Sequence, residues 1–279
     1  MHLRTIVRAI SGLAAAGGIA ASFALTPAFS GAFAAESAGD GLIVLAPGKI
    51  EYYSTAEALK NGRPVVPERV GKVFEQPVRI MKRQVSQAEY AECVREQGCK
   101  PLDRRVREQV SPELPVVGVN WQDATDYARW YSGRTGHSYR LPTYEEWIYA
   151  AGEAFKEELR LDIYDPDNPA QRWLAEYAME IERKAVEDAN PKPFGTFGAN
   201  AAGMQDVGGN VWEWTDTCHV RQYLDEEGRQ ALPPNQNCGV RVVAGSHHSL
   251  ITDFIRDPKG GACSVGIPPS NLGIRLVRD

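Results

Sequence analysis

The segment Asp206-Val-Gly-Gly-Asn-Val-Trp-Glu213 sets two carboxylates around a pair of glycines. Glycines let a chain curl and turn carbonyl oxygens inward, and a hard cation that collects many oxygen ligands suits such a loop, so calcium is the expected ion. The competing reading is a solvated turn in which Glu213 pairs with an arginine. A second constellation runs through Ala244-Gly-Ser-His-His-Ser-Leu-Ile-Thr-Asp-Phe254, followed by Arg256 and, in a Gly-rich stretch, Cys263. Adjacent side chains on an extended strand point to opposite faces, so only one of His247 and His248 can easily face a pocket. There it would act as a base or metal ligand with Cys263 near it, which makes His247, His248 and Cys263 the candidate catalytic residues. Each histidine has a plainer alternative, as a satisfied structural or surface residue.

The five cysteines must be read with the compartment. Arg4 and Arg8 precede an uncharged stretch from Ala9 to Ala35 that contains Ala32-Phe33-Ala34, the pattern of a secretory signal with a small-residue cleavage site. Residues 1–34 are therefore expected to be removed, giving a periplasmic or secreted protein without a membrane anchor. Disulfides persist in such a compartment. Cys93 and Cys99 could meet across a helix end, and Cys218 and Cys238 could close the polar stretch between them. An odd count leaves one thiol over, and the sequence does not fix which of Cys218, Cys238 and Cys263 it is. The formal charge of −5 becomes more negative once Arg4 and Arg8 are lost, and without a clustered basic stretch nucleic acid is not an expected partner.

The positioning elements follow from pattern and caps. Residues 35–77 form an extended N-terminal segment of short apolar runs such as Gly41-Leu-Ile-Val-Leu45, and Val78–Arg83 is a strand. Ser86 caps a helix to about Glu96, and Asn120 caps a helix that buries Trp121, Ala124, Tyr127, Ala128 and Tyr131. Pro115–Val119 is a short strand between them. Thr143 and Glu146 form a capping box for a helix from Tyr144 to Ala151. Residues 155–188 are a helical insertion, broken by Asp165-Pro-Asp-Asn-Pro169. Beyond Asn190, glycine-rich turns and short strands dominate, which gives an irregular α+β domain over 78–279. Trp212 and Trp214 are expected in the core beside the Asp206–Glu213 loop.

Five segments in order resemble the formylglycine-generating-enzyme (sulfatase-modifying-factor) family: Val85-Ser-Gln-Ala-Glu-Tyr90, Pro115-Val-Val-Gly-Val-Asn-Trp-Gln-Asp-Ala124, Arg140-Leu-Pro-Thr-Tyr-Glu-Glu-Trp147, Gly209-Asn-Val-Trp-Glu-Trp214 and Ser270-Asn-Leu-Gly-Ile-Arg-Leu-Val277. The resemblance implies an irregular C-type-lectin-like fold with little regular secondary structure. It also implies a structural calcium held by the side chains of Asp206 and Glu213 and the carbonyls of Gly209 and Val211. The family's second calcium loop has no counterpart here.

The family's copper-binding cysteine pair fails to map. Aligned on Gly245-Ser246, its two positions hold Ser249 and Phe254, neither of which supplies a soft thiolate for Cu(I). Formylglycine formation is therefore not expected. The expectation is an exported maturation or oxidoreductase-like accessory protein, of the family's PvdO-like tailoring or NirV-like denitrification kind. It would act on a small molecule or exported protein of unknown identity, with any redox metal unidentified. The alternative is a non-catalytic, calcium-stabilised binding module.

Overall fold

A computed structural model describes residues 36–38, 41–102, 110–157, 170–171, 174–175, 177–178, 190–246, 248–253 and 272–279, all within a unit spanning Phe33–Asp279. Residues 1–34, expected from the sequence to be a signal segment, most of the 155–188 insertion, His247 and residues 254–271 lie outside the described residues. Among those described, no helix is long and apolar enough to cross a membrane.

Among the described residues, thirteen strands and three continuously described α-helices build an α+β domain, with further helical residues between 170 and 178. The strands are β1 (Glu36–Ala38), β2 (Leu42–Leu45), β3 (Gly48–Tyr53), β4 (Glu57–Lys60), β5 (Arg63–Val65), β6 (Arg69–Phe74), β7 (Val78–Met81), β8 (Tyr139–Arg140), β9 (Trp212–Leu224), β10 (Gln230–Ala244), β11 (His248–Thr252), β12 (Leu272–Gly273) and β13 (Val277–Arg278). One sheet runs β1-β2-β7-β13-β8, a second runs β11-β10-β9-β4-β5 with β12 parallel on β9, and β3 pairs with β6 alone. The segment before residue 78 is thus woven into the domain. β2 lies antiparallel on β7, and β4 extends the second sheet parallel to the outer half of β9. The stretch between Cys218 and Cys238 is the tip of the long β9–β10 hairpin, whose register shifts several times through bulges.

The helices start where their caps dictate. In α1 (Gln87–Arg95), α2 (Trp121–Thr135) and α3 (Tyr144–Ala151), the caps Ser86, Asn120 and Thr143 each close a full capping box with Glu89, Asp123 and Glu146. Each box satisfies two backbone donors that the first turn would otherwise leave open. Two of the boxes carry the same brace. Arg83 grips Glu89 through two bonds of 2.9 Å, and Arg140 grips Glu146 through two of 2.7 Å. Such fork-to-fork pairing fixes the carboxylate orientation that the cap requires.

One expected element is absent. Pro115–Val119 is not a strand: Pro115 makes only an isolated bridge to Ser86, and Gly118 takes a φ of 73°, outside the range of extended backbone. The segment still packs as core, with Val116 and Val119 fully buried. Apolar side chains gather into two cores. One holds α1, α2 and the Trp212–Trp214 face, and the other holds α3, Met204 and the inner strands β2 and β7.

Candidate functional site

The Asp206 loop and the Gly245-Ser246 turn, separate in sequence, are in contact. Gly208 has a φ of +67°, and a Cβ there would meet the Gly245 carbonyl oxygen at 3.2 Å. A Cβ on Gly245 would in turn lie 2.6 Å from the Trp212 ring, so glycine at both positions lets backbone lie against backbone and indole. Trp212 and Trp214 are buried, as expected, and Trp214 ties the loop to the core by donating its indole N–H to the Val119 carbonyl at 2.9 Å.

Glu213 lies at the centre of a buried polar cluster. Its Oε2 accepts from Trp147 Nε1 at 2.6 Å and Arg275 Nε at 2.8 Å, and its Oε1 accepts from Gln84 Nε2 at 2.7 Å and Arg275 Nη2 at 2.8 Å. A carboxylate offers about four lone-pair positions, and four donors take them. Arg275, fully buried, spends its remaining N–H groups on the carbonyls of Met81, Lys82 and Gln205. A guanidinium has five N–H donors, and all five are used. Asp206 is also buried, with φ 57°, and its two carboxylate oxygens accept the amides of Phe197 (2.8 Å) and Gly195 (2.7 Å). It folds the preceding turn onto itself.

This arrangement bears directly on calcium. Glu213 faces a guanidinium and has no lone pair left, while Gln84 Oε1 is the one carboxylate or amide oxygen among the described buried side chains without a donor. Calcium takes about six to eight oxygen ligands. No group of three or more His, Cys, Asp or Glu side chains suited to a metal occurs among the described residues. As arranged, Glu213 could join Asp206, Gly209 and Val211 around a calcium ion only by releasing one of its donors. The pairing of Glu213 with an arginine was the alternative left open by the sequence, although the pair is buried and not solvated. Arg275 itself was missed; its signal was a lone cation inside the apolar run Ile274-Arg-Leu-Val277.

Of the catalytic candidates, the structure describes His248 only. It begins β11 opposite Ala244, is half-buried, and meets the Tyr144 ring edge-on at 5.9 Å. Ser249 follows opposite Val243 on the same edge strand. Asp253 closes the strand through its backbone, donating to the Gly239 carbonyl and accepting the Trp121 amide. His247, Phe254, Arg256 and Cys263 lie outside the described residues.

The disulfides settle the cysteine arithmetic. Cys93 joins Cys99 and Cys218 joins Cys238, so four of the five cysteines are bonded and Cys263 is the remaining one. Beside the second bridge Arg241 is buried between two register shifts of β10. Its Nη1 reaches Asp216 Oδ1 at 2.9 Å and Cys218 Sγ at 3.4 Å, and its guanidinium lies 3.9 Å above the Trp121 ring. The next residue, His219, sits 3.5 Å from Glu57; burial pushes its pKa below the ordinary value, with Glu57 opposing.

Comparison with known proteins agrees with this architecture. A formylglycine-generating enzyme of Streptomyces coelicolor is 31% identical over 176 residues, covering 60% of this chain and 54% of that protein. A bovine protein named inactive Cα-formylglycine-generating enzyme 2 is 34% identical over 181 residues, covering 60% of this chain and 55% of that one. The chain thus spans about half the length of these curated relatives. The structure of PvdO from Pseudomonas aeruginosa superposes with a TM-score of 0.54 at 20% identity, over 85% of this chain and 94% of that one, which supports the C-type-lectin-like fold. With the sulfatase-modifying factor enzyme 1-like domain matched over residues 29–279, and with three of its motif segments supplying Trp147, Glu213 and Arg275 to one buried cluster, the chain belongs to the formylglycine-generating-enzyme family.

Proposed function

We propose that this chain is an exported family member that lacks the copper-binding thiolate pair and serves as a maturation or tailoring protein for a small molecule or an exported protein. The observation that carries the reading is the cysteine count. Two disulfides use four of the five cysteines, so one thiol remains where a two-thiolate Cu(I) site needs two. Ser249 on β11 stands at the aligned position of the first family cysteine. The half-buried His248 beside Tyr144 supports a remodelled site at that strand, because an aromatic neighbour and partial burial hold an imidazole in a fixed orientation. The relative named as inactive favours a second reading, in which the scaffold only binds.

One complementation experiment separates the two. A strain deleted for the gene is complemented with wild type or with His248→Ala, and its secreted metabolites and periplasmic proteins are compared by mass spectrometry. A product lost on deletion, restored by wild type and not by His248→Ala supports a tailoring role. Restoration by both favours the binding module. Purified wild type given copper, oxygen and a sulfatase-type cysteine peptide is expected to form no aldehyde, and an aldehyde product would overturn the absence of the thiolate pair. Export is tested on the same material, where the mature N-terminus is expected at Ala35 or within a few residues of it.

A further inference from the structure

The two disulfides sit in opposite surroundings. Cys93 and Cys99 are both buried in the core under α1 and α2. Cys238 is exposed on the outer half of β10, whereas its partner Cys218 is half-buried on β9 with the guanidinium of Arg241 3.4 Å from its sulfur. Arg241 is 8% exposed, and its Nε is a buried donor with no partner. Among the described residues, the groups facing this cation are few. Asp216, whose side chain is 48% exposed, neutralises it in part from the same side, and Trp121 covers one face. Farther along β9, His219 and Arg221 are both engaged with Glu57.

We propose that Cys218–Cys238 is an exchangeable disulfide that oxidises a dithiol, with Cys238 as the attacked sulfur and Cys218 as the leaving group. The assignment follows from access and charge. Attack needs an accessible sulfur, and the bond breaks faster when the departing sulfur is the more stable thiolate. A neighbouring arginine stabilises a thiolate. A thiolate of the incoming dithiol bonds to Cys238 Sγ, the Cys218–Cys238 bond breaks, and its electron pair leaves on Cys218 Sγ, where Arg241 offers charge and its Nη1 donor at 3.4 Å. The second thiol of the dithiol, losing its proton, then attacks its own sulfur in the mixed disulfide and releases Cys238. Two electrons pass to this chain, the dithiol becomes a disulfide, and its two protons are available to Cys218 and Cys238. Nothing in this sequence depends on the histidines of the proposed tailoring site, so either proposal can fail alone.

The test uses the full exported chain with dithiothreitol and glutathione as probes, read by differential alkylation and peptide mass mapping that resolves each cysteine. In a graded dithiothreitol titration of folded protein, Cys218–Cys238 should open while Cys93–Cys99 remains closed. With reduced glutathione, the first adduct should appear on Cys238. Exchange rates depend on the attacking thiol by about threefold per unit of pKa, and a leaving thiol of lower pKa departs faster, so a leaving-group effect of the same order is expected. Arg241→Gln should therefore slow opening by about threefold or more, while Asp216→Asn, which frees the guanidinium of its competing carboxylate, should accelerate it. Because Asp216 is exposed, that variant guards against a folding defect in the first. Opening of both disulfides only on unfolding, an adduct on Cys218, or Asp216→Asn exchanging no faster than wild type would overturn the proposal.

Discussion

Replacing Arg275 by Met removes the cation from the buried cluster while keeping an unbranched apolar stem. The carboxylate of Glu213 then keeps Gln84 and Trp147 as donors but loses both guanidinium bonds, and the carbonyls of Met81, Lys82 and Gln205 lose theirs. Breaking a fully buried ion pair from one side costs about 3–5 kcal/mol, because the remaining charge stays desolvated. For a domain of this size, about 2–4 °C of Tm follows each kcal/mol, so the expected loss is on the order of 6–20 °C. The assay is thermal melting together with urea unfolding, where the midpoint should fall at unchanged m if only the native state is affected. Adding Glu213→Leu to Arg275→Met should recover part of the loss, since it removes the orphaned charge but not the orphaned carbonyls. Arg275→Met melting within about 1 kcal/mol of wild type would refute the reasoning, as it would show that the cluster does not carry buried charge.

Millimolar calcium should leave the melting temperature of the chelator-treated protein unchanged, because Glu213 is committed to Arg275; a clear rise would show that it exchanges a donor for the ion. Gly245→Ala should cost about 1–3 kcal/mol, measured by urea unfolding, because its Cβ would press into the buried Trp212 ring. His219 has a folded-state pKa below its ordinary 6.5, so the unfolded chain binds the extra proton first. Its contribution is intact above about pH 6.5 and declines as pH falls toward the folded value. His219→Asn should accordingly lose less melting temperature than wild type between pH 7 and pH 5. Ser86→Ala should destabilise by about 1 kcal/mol in the same melts, through the lost cap of α1.

The sequence determined the features that rest on local chemistry. Ser86, Asn120 and Thr143 start their helices because a side-chain oxygen three residues before a backbone amide satisfies it whatever the rest of the fold does. The Cys93–Cys99 bridge was legible for the same reason, and the ordered motifs identified the family. Pro115–Val119 was misjudged as a strand because its apolar pattern reports burial, whereas the backbone angle of Gly118 is set by how Val116 and Val119 reach the core. Only the tertiary structure paired Glu213 with Arg275, 62 residues away, and set Arg241 beside Cys218 across the β9–β10 hairpin. The carboxylate–glycine loop is compatible with a cation or a guanidinium. Which one it faces depends on the strands that converge on it, since a charge buried at this depth is stabilised only by the partners that the whole fold brings within hydrogen-bond reach.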